Sequence, residues 1–347
     1  MTKFKFYWQI IVLFVLISKS CLSQNLFTKG FFFMKRITIL LSTILLFTGF
    51  TEKACAQYYF YNNRYYDNPL TFEIGGSLGV MNCLTDIGGN KGIGKKSLKD
   101  VNIGKTNFAG SLYLGANYKY AITLRAEATF GQVSADDKVL QKVKATTYGR
   151  YERNLSFRSN ITEFMVAAEI HPYYILNKYD EDHEGEPPLF SPYLLAGIGF
   201  FSFNPQAQYN GKWIDLQPLR TEGQGFTQYP ERKPYSLNQT NIPLGIGVRY
   251  ELGSAFNIRA EIVYRILHTD YLDDVSTTYI DPVNFSLNGF SGNKLTNALI
   301  LYDRKKELDP ANFSNEGDQR GSPKNNDSYF SFNVKIGYII GREPVKR

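Results

Sequence analysis

The sequence predicts an all-β protein, an eight-stranded antiparallel transmembrane β-barrel with long outer loops. Three observations predict it. About eight segments between Thr71 and Ile340 alternate apolar and polar residues, one row of each segment is apolar and uncharged, and the connections alternate between short and long. A period of two is typical of strands. An apolar row opposite a charged row, repeated over so many strands, indicates a closed sheet whose exterior meets lipid.

Each predicted strand is long enough to cross a hydrocarbon layer, which takes roughly 9 to 11 tilted residues. The last strand has the clearest alternation, since Phe332 and Val334 lie on one face while Asn333 and Lys335 lie on the other. The strands are predicted at approximately 71–81, 107–119, 121–133, 157–170, 191–203, 240–252, 256–268 and 328–340.

The rows opposite the apolar ones carry charged residues that would point into the barrel. Six are acids and five are bases: Glu73, Glu127, Glu163, Glu169, Glu251, Glu261, Arg125, Arg249, Arg259, Arg265 and Lys335. A nearly balanced set of this kind can be buried if its members pair and form hydrogen bonds. Side chains fill the interior of an eight-stranded barrel. The sequence therefore predicts a closed, salt-bridged lumen, with inward glycines such as Gly75 and Gly247 leaving room for long side chains.

The connections fit a barrel whose two termini lie in the periplasm. Short turns are predicted at 119–121 and 253–255, and long outer loops at 82–106, 134–156, 204–239 and 269–327. The exception is 171–190, which would be a long periplasmic connection. It contains four candidate partner-contact residues, Asp180, Glu181, Asp182 and Glu184.

A second unusual periplasmic element is the tyrosine-rich arm at 57–70. Its candidate contact residues are Tyr58, Tyr59, Tyr61, Tyr65 and Tyr66. Buried tyrosines often dominate protein interfaces, so the arm would anchor a partner. The alternative is that it wedges under the mouth of the barrel, because an exposed aromatic patch needs covering in either case.

The first 56 residues read as a targeting segment. Residues 34–56 have the basic start, the short apolar run and the Ala54-Cys55-Ala56 site of a cleaved signal peptide, whereas 1–33 fits a mis-assigned start. The barrel would occupy 71–341, followed by a short tail at 342–347. Residues 1–56 hold seven bases and one acid, so they account for +6 of the net charge of +7. A nucleic-acid partner is therefore not expected. The signal peptide predicts export, with the outer membrane of a Gram-negative cell as the destination.

No catalytic, cofactor or metal site is predicted. Gly89 to Lys96 resembles a phosphate-binding loop but has Lys96 where a hydroxyl is required. His183 lies in an acidic stretch that is typical of a solvated loop, and His268 has no serine nearby in sequence to form a hydrolase triad. The sequence therefore predicts a protein that is not an enzyme.

Four stretches together carry a family resemblance: Gln57-Tyr58-Tyr59, Arg64 to Pro69, Phe72 to Gly79 with its continuation Asn82 to Asp86, and Pro192 to Phe200. They resemble the small outer-membrane barrels of the Bacteroidota, in the family that includes PorG. The resemblance implies an accessory subunit of the type IX secretion apparatus that anchors a ring of periplasmic partner proteins. It implies no catalytic residues.

The sequence thus favours a barrel that serves as an anchor or interaction subunit in outer-membrane lipid. Two other functions fit the same fold, namely a narrow ion or small-solute channel and a surface-exposed adhesive barrel. A soluble barrel that binds an apolar ligand would need apolar residues inside and polar residues outside, and the charge placement opposes that arrangement.

Overall fold

The computed structural model describes residues 69–89, 103–147, 149–176, 190–253 and 255–341. These form the strands β1 (Leu70–Leu84), β2 (Asn107–Tyr118), β3 (Ile122–Asp136), β4 (Ser156–Ile170), β5 (Phe190–Ser202), β6 (Pro205–Tyr209), β7 (Lys212–Asp215), β8 (Asn238–Glu251), β9 (Phe256–Leu267) and β10 (Ser328–Ile340). The α-helices are α1 (Arg150–Arg153), α2 (Pro172–Leu176), α3 (Val283–Leu287) and α4 (Gly292–Leu301). Four 3₁₀ segments lie at Ile103–Lys105, Asp137–Thr146, Gln217–Leu219 and Lys305–Glu307. Within the described residues, no helix combines the length and apolar character needed to cross a membrane.

Eight of the strands close into an antiparallel barrel. Their order around the barrel is β1, β2, β3, β4, β5, β8, β9 and β10. The last strand pairs with the first, in a register that runs from Phe72↔Ile340 to Leu84↔Ser328. The predicted eight-stranded antiparallel barrel is confirmed, with strand ends that differ by a few residues. The largest differences are at β1, which continues to Leu84, and at β3, which continues to Asp136.

The outside of the barrel is an apolar belt made of the outward rows. Leu78 is 80% exposed, Phe108 89%, Leu112 68% and Ile198 73%. Similar side chains face outward from all eight strands. So large a continuous apolar surface is unfavourable in water. It suits a barrel surrounded by lipid.

The structure corrects the prediction that 204–239 is only a loop. Strand β6 continues β5 in the same register against β4, since Thr162 pairs with Ser202 and Arg158 pairs with Gln206. Strand β7 folds back on β6 through a turn at Asn210-Gly211, where both residues have positive φ (47° and 76°). An Asn-Gly pair is the preferred sequence for such a two-residue turn.

The long connections fold together into a head above one end of the barrel, which we call the long-loop end. The head comprises the described parts of the connections between β1 and β2, β3 and β4, β5 and β8, and β9 and β10. Its hydrophobic core is continuous with apolar inward residues of the barrel strands, such as Met81, Val133 and Phe201. The part that the connections contribute includes Phe203, Leu219, Phe226, Leu272, Ile280, Phe285, Phe290 and Leu301. The opposite end of the barrel, with the turn between β2 and β3, is the short-turn end.

A buried carboxylate ties three of these connections together. Glu222, from the β5–β8 connection, accepts hydrogen bonds from the backbone N–H groups of Ser276 and Thr277, each at 2.9 Å. It also pairs with Arg320 at 2.9 Å. The backbone carbonyl of Arg320 accepts a hydrogen bond from Arg153, which belongs to the β3–β4 connection. These three connections therefore pack as one unit rather than as separate loops.

Candidate functional site

The most distinctive constellation is the charged lumen. The structure places all eleven predicted charged residues inside the barrel, and each is at most 7% exposed. Burying this many charges is favourable only when each is paired and hydrogen-bonded.

One ion pair spans the width of the lumen. Arg125 lies on β3 and Glu261 on β9, and these two strands are opposite each other in the eight-strand order. Nη1 of Arg125 lies 2.9 Å from Oε2 of Glu261 and 2.6 Å from Oε1 of Glu169. Because this group crosses the axis, the middle of the barrel is a polar core and not an open pore.

Two further bases complete the middle layers. Arg259 bridges two carboxylates, with Nη1 at 2.6 Å from Oε2 of Glu169 and Nη2 at 2.6 Å from Oε2 of Glu73. Nζ of Lys335 lies 3.0 Å from Glu261 and 2.5 Å from Glu127. Ion pairs therefore connect five strands, namely β1, β3, β4, β9 and β10.

The outer layers continue the same pattern. Toward the long-loop end, Arg265 pairs with Glu163 at 3.0 Å, and Glu163 accepts a hydrogen bond from Asn241 at 2.7 Å. Toward the short-turn end, Arg249 pairs with Glu251 at 2.7 Å. The charges are thus paired in layers from the short-turn end as far as Arg265, and beyond that layer inward residues such as Met81, Val133 and Phe201 are apolar.

Sequence reasoning missed the tyrosines that share this interior. Tyr113 donates to Glu73 at 2.5 Å and Tyr193 donates to Glu261 at 2.7 Å. The glycines beside them provide the space, since a Cβ at Gly75 would lie 2.6 Å from the Tyr113 ring. The strand alternation places both tyrosines on the inward face, which is the signal that could have identified them.

Aromatic rings cover the lumen at the short-turn end. In the turn between β2 and β3, Lys119 and Tyr120 have φ values of 49° and 57°. Residues other than glycine adopt this left-handed conformation at an energetic cost. This turn places Tyr120, 7% exposed, against Tyr174 of α2, with ring centroids 5.8 Å apart. The stack helps to close this end of the barrel.

A serine, a histidine and a glutamate meet close to this floor. Nδ1 of His171 lies 2.9 Å from Oγ of Ser191, and Nε2 lies 3.6 Å from Glu169. These are the residue types of a hydrolase triad. However, Ser191 is 3% exposed and Glu169 is already held by Arg125 and Arg259. A buried serine without access to substrate supports a structural role.

The candidate partner-contact residues lie outside the described residues. These are Tyr58, Tyr59, Tyr61, Tyr65 and Tyr66 of the arm, and Asp180, Glu181, Asp182 and Glu184 of the acidic connection. The described helix α2 leads into that connection. Its Tyr173, Ile175 and Leu176 are 41%, 47% and 80% exposed. This places an apolar surface at the short-turn end.

A cluster of buried carboxylates lies where the head meets the barrel. Both oxygens of Asp273 accept backbone hydrogen bonds, from Ile87 and Val275 at 3.0 Å each. Burial, followed by the charge of Asp86, raises the pKa of Asp273 to about 8. Burial and the charges of Asp273 and Asp270 raise the pKa of Asp327 well above its usual value.

We expect the head to become less stable as the pH rises from about 4 to about 8. A raised pKa means that the folded head binds protons more tightly than the unfolded chain, so stability is greatest at low pH and falls as Asp273 ionises. Each pKa unit of difference is worth about 1.4 kcal/mol. Limited proteolysis in detergent from pH 5 to pH 8.5 should show faster cleavage of the head at the higher pH.

The matched variant for this test is Asp327→Asn. It keeps an oxygen that can accept the hydrogen bond from the Leu272 N–H, which is 2.9 Å long in the structure, while it removes one titratable carboxyl group of the cluster. Its cleavage rate should depend less on pH than that of the unmodified protein. An equal pH dependence in the two proteins would show that this cluster does not control the stability of the head.

No protein-family model and no curated protein matches the chain. Solved structures that are similar to it include Ail, the attachment invasion locus protein of Yersinia pestis, with 10% identity, a TM-score of 0.31, and coverage of 78% of this chain and 97% of that one. The outer membrane protein OprG of Pseudomonas aeruginosa has 11% identity, a TM-score of 0.34, and coverage of 78% and 95%. Neisserial surface protein A has 7% identity, a TM-score of 0.32, and the same two coverages. At these values no function is transferred from them, and the fold is established by the chain's own strand pairing.

Proposed function

We infer that the protein is a non-enzymatic outer-membrane β-barrel that serves as an anchor or interaction subunit. The observation that carries this proposal is the inverted distribution of polarity, with an apolar exterior around a sealed, charged interior. The exterior supports insertion into lipid. The predicted signal peptide at 34–56 supports export, and an exported transmembrane barrel belongs in the outer membrane.

The sealed lumen argues against the channel alternative. The pair between Arg125 and Glu261 crosses the axis at 2.9 Å, and Tyr120 and Tyr174 stack over the short-turn end. A conducting path would have to separate buried ion pairs, and separating one such pair is costly. The surfaces that remain for function are the two ends of the barrel and its lipid-facing wall.

We place the partner surface at the short-turn end, in the periplasm. Helix α2 has exposed apolar side chains, including Leu176 at 80% exposure, and the acidic residues follow it directly in sequence. Together with the resemblance to the family that includes PorG, this supports the role of an accessory subunit that anchors periplasmic ring proteins of a type IX secretion apparatus. The partner would contact both the apolar helix and the acidic connection.

The test is cross-linking and affinity purification of the tagged protein from outer membranes. The intact chain is compared with one in which residues 178–188 are replaced by a glycine-serine linker of equal length, which keeps the strand connectivity. We expect the intact chain to recover specific periplasmic proteins and the linker variant to lose them. A control change in the head, Leu287→Ala, should leave the recovered set unchanged.

Two outcomes would contradict parts of this proposal. Recovery of the same periplasmic proteins by the linker variant would remove the acidic connection from the interface. Recovery of the protein as a freely soluble periplasmic species would contradict the membrane location itself.

A further inference from the structure

The wall of the barrel continues beyond the apolar belt on one side of the long-loop end. Phe164 on β4 and Phe200 on β5 are the last outward apolar residues of their strands. Beyond them β4 keeps its pairing, first with β5 and then with β6, and β7 pairs on the far side of β6. A sheet of strands therefore rises above the belt.

The outward face of this rising sheet is polar and rich in amides. We call it the amide ladder, and it consists of Gln132, Arg158, Asn160, Asn204, Gln206, Gln208, Trp213 and Asp215. The inward face of the same strands belongs to the hydrophobic core, with Phe157 at 3% exposure and Phe203 at 1%. The face that points away from the protein therefore presents hydrogen-bonding groups directly above the lipid-facing surface.

The side chains of the ladder are connected to one another. Asp215 accepts hydrogen bonds from the amides of Asn204, at 3.0 Å, and Gln206, at 2.7 Å. Gln206 in turn accepts a hydrogen bond from Arg158 at 3.1 Å. The guanidinium carbon of Arg158 lies 3.7 Å from the ring centroid of Trp213. The ladder is therefore a preorganised surface rather than a set of independent side chains.

The height of the ladder distinguishes between classes of lipid. From Phe164 to Arg158 the strand advances six residues, which is about 20 Å along the strand at about 3.3 Å per residue and about 15 Å of height at the usual barrel tilt. An ordinary phospholipid headgroup region accounts for only about 5 to 8 Å on each side of the hydrocarbon. The ladder thus rises above a phospholipid headgroup layer, to a height that a larger saccharide headgroup would reach.

The chemistry of the ladder also fits a saccharide. Amides present donors and acceptors side by side, as sugar hydroxyls do. Trp213 is 41% exposed and offers an apolar ring for the C–H face of a sugar. Arg158 and Asp215 carry opposite charges and are connected through Gln206, so the centre of the ladder is close to neutral, which favours hydroxyls over phosphate.

We propose that the amide ladder binds the saccharide headgroup of the glycolipid in the outer leaflet around the barrel. This inference depends on the proposed location in an outer membrane, and on the continuity of the ladder with the lipid-facing belt. The glycolipid would insert its acyl chains beside Phe164 and Phe200 while its sugars lie against the amides and Trp213. The protein would then be held at a fixed height and surrounded by a selected lipid.

The test measures binding of fluorescently labelled rough lipopolysaccharide to the full chain in detergent micelles. The variant is Gln208→Ala with Trp213→Ala, two residues that pair across the β6–β7 hairpin outside the eight barrel strands. We expect its affinity to fall about tenfold, the change that a loss of about 1.4 kcal/mol produces. A protein with Gln208→Ala and Trp213→Phe keeps an aromatic ring, and it should recover part of the affinity that the double alanine variant loses.

The matched control is Phe313→Ala, which removes an aromatic side chain that is 57% exposed on the β9–β10 connection. It should bind lipopolysaccharide as the unmodified protein does. Every sample is first checked for a heat-modifiable mobility shift, so that a failure of the barrel to fold in a membrane environment is distinguished from a failure of the ladder to bind.

Three results would overturn the proposal. The double variant could bind as tightly as the unmodified protein. Labelled phosphatidylethanolamine could bind as tightly as lipopolysaccharide, which would indicate general lipid binding. The free core oligosaccharide could bind as tightly as the whole glycolipid, which would identify a soluble saccharide as the source of the ligand.

Discussion

Replacing Arg259 by methionine should destabilise the barrel by about 3–5 kcal/mol, the range measured when one partner of a buried ion pair is removed. Methionine has a similar volume but no charge. Glu73 and Glu169, each 2.6 Å from the guanidinium, would lose the base that they share while remaining buried. The measurement is urea unfolding in detergent, followed by the loss of the heat-modifiable form.

A second change tests whether the cost comes from the charges. Glu169 keeps its pair with Arg125 at 2.6 Å, so Glu73 is the carboxylate left without a paired base. Adding Glu73→Gln to the Arg259→Met protein removes that charge and should recover part of the lost stability. The control is Lys105→Met, because the pair of Lys105 with Asp136 at 3.4 Å is partly exposed and pairs of that kind contribute about 0–1 kcal/mol. An Arg259→Met protein as stable as the Lys105→Met protein would contradict the idea that the lumen depends on its charge pairing.

Replacing Leu114 by arginine should cost about 2–4 kcal/mol, the penalty for a cation on the lipid face of a barrel near the middle of the membrane. Leu114 is 60% exposed on β2, and its lateral neighbours in the register are Ile74 on β1 and Ala126 on β3. An arginine there has only apolar groups around it. Folding yield and urea midpoint in lipid vesicles are the quantities to measure.

The matched control for this prediction is Leu287→Arg. Leu287 is 67% exposed on α3 in the head, which is close to the exposed fraction of Leu114. In the head the arginine meets water, and a change of within about 0.5 kcal/mol is expected. Equal effects at the two positions would mean that water surrounds both, and would contradict a transmembrane barrel.

The barrel could be predicted from the sequence because its pattern is local. In a strand, alternate residues face opposite sides, so the apolar row of each segment is visible without knowledge of its neighbours. The same alternation identifies Arg259 and Glu261 as inward residues. It does not identify which charge pairs with which, because that depends on the stagger between strands that are distant in sequence.

The head was not predicted because its core comes from irregular segments. Phe226 and Phe285 contact each other with ring centroids 5.6 Å apart, although one lies in the β5–β8 connection and the other in the β9–β10 connection. No periodicity relates these positions. The β6–β7 hairpin did carry a local signal, the Asn210-Gly211 turn, and a strand assignment that used turn residues would have found it.

The pairing of β1 with β10 has a consequence for the order in which the protein assembles. The first and last strands of the barrel are its seam, so the cylinder cannot be completed before the entire chain has been delivered. Glu73 lies on β1, while its partner Arg259 lies on β9, 186 positions later. Forming contacts this distant in sequence carries a large loop-closure cost and slows folding. We therefore expect the lumen to stay hydrated until β1 meets β10, so that its charges lose their water together when the seam closes.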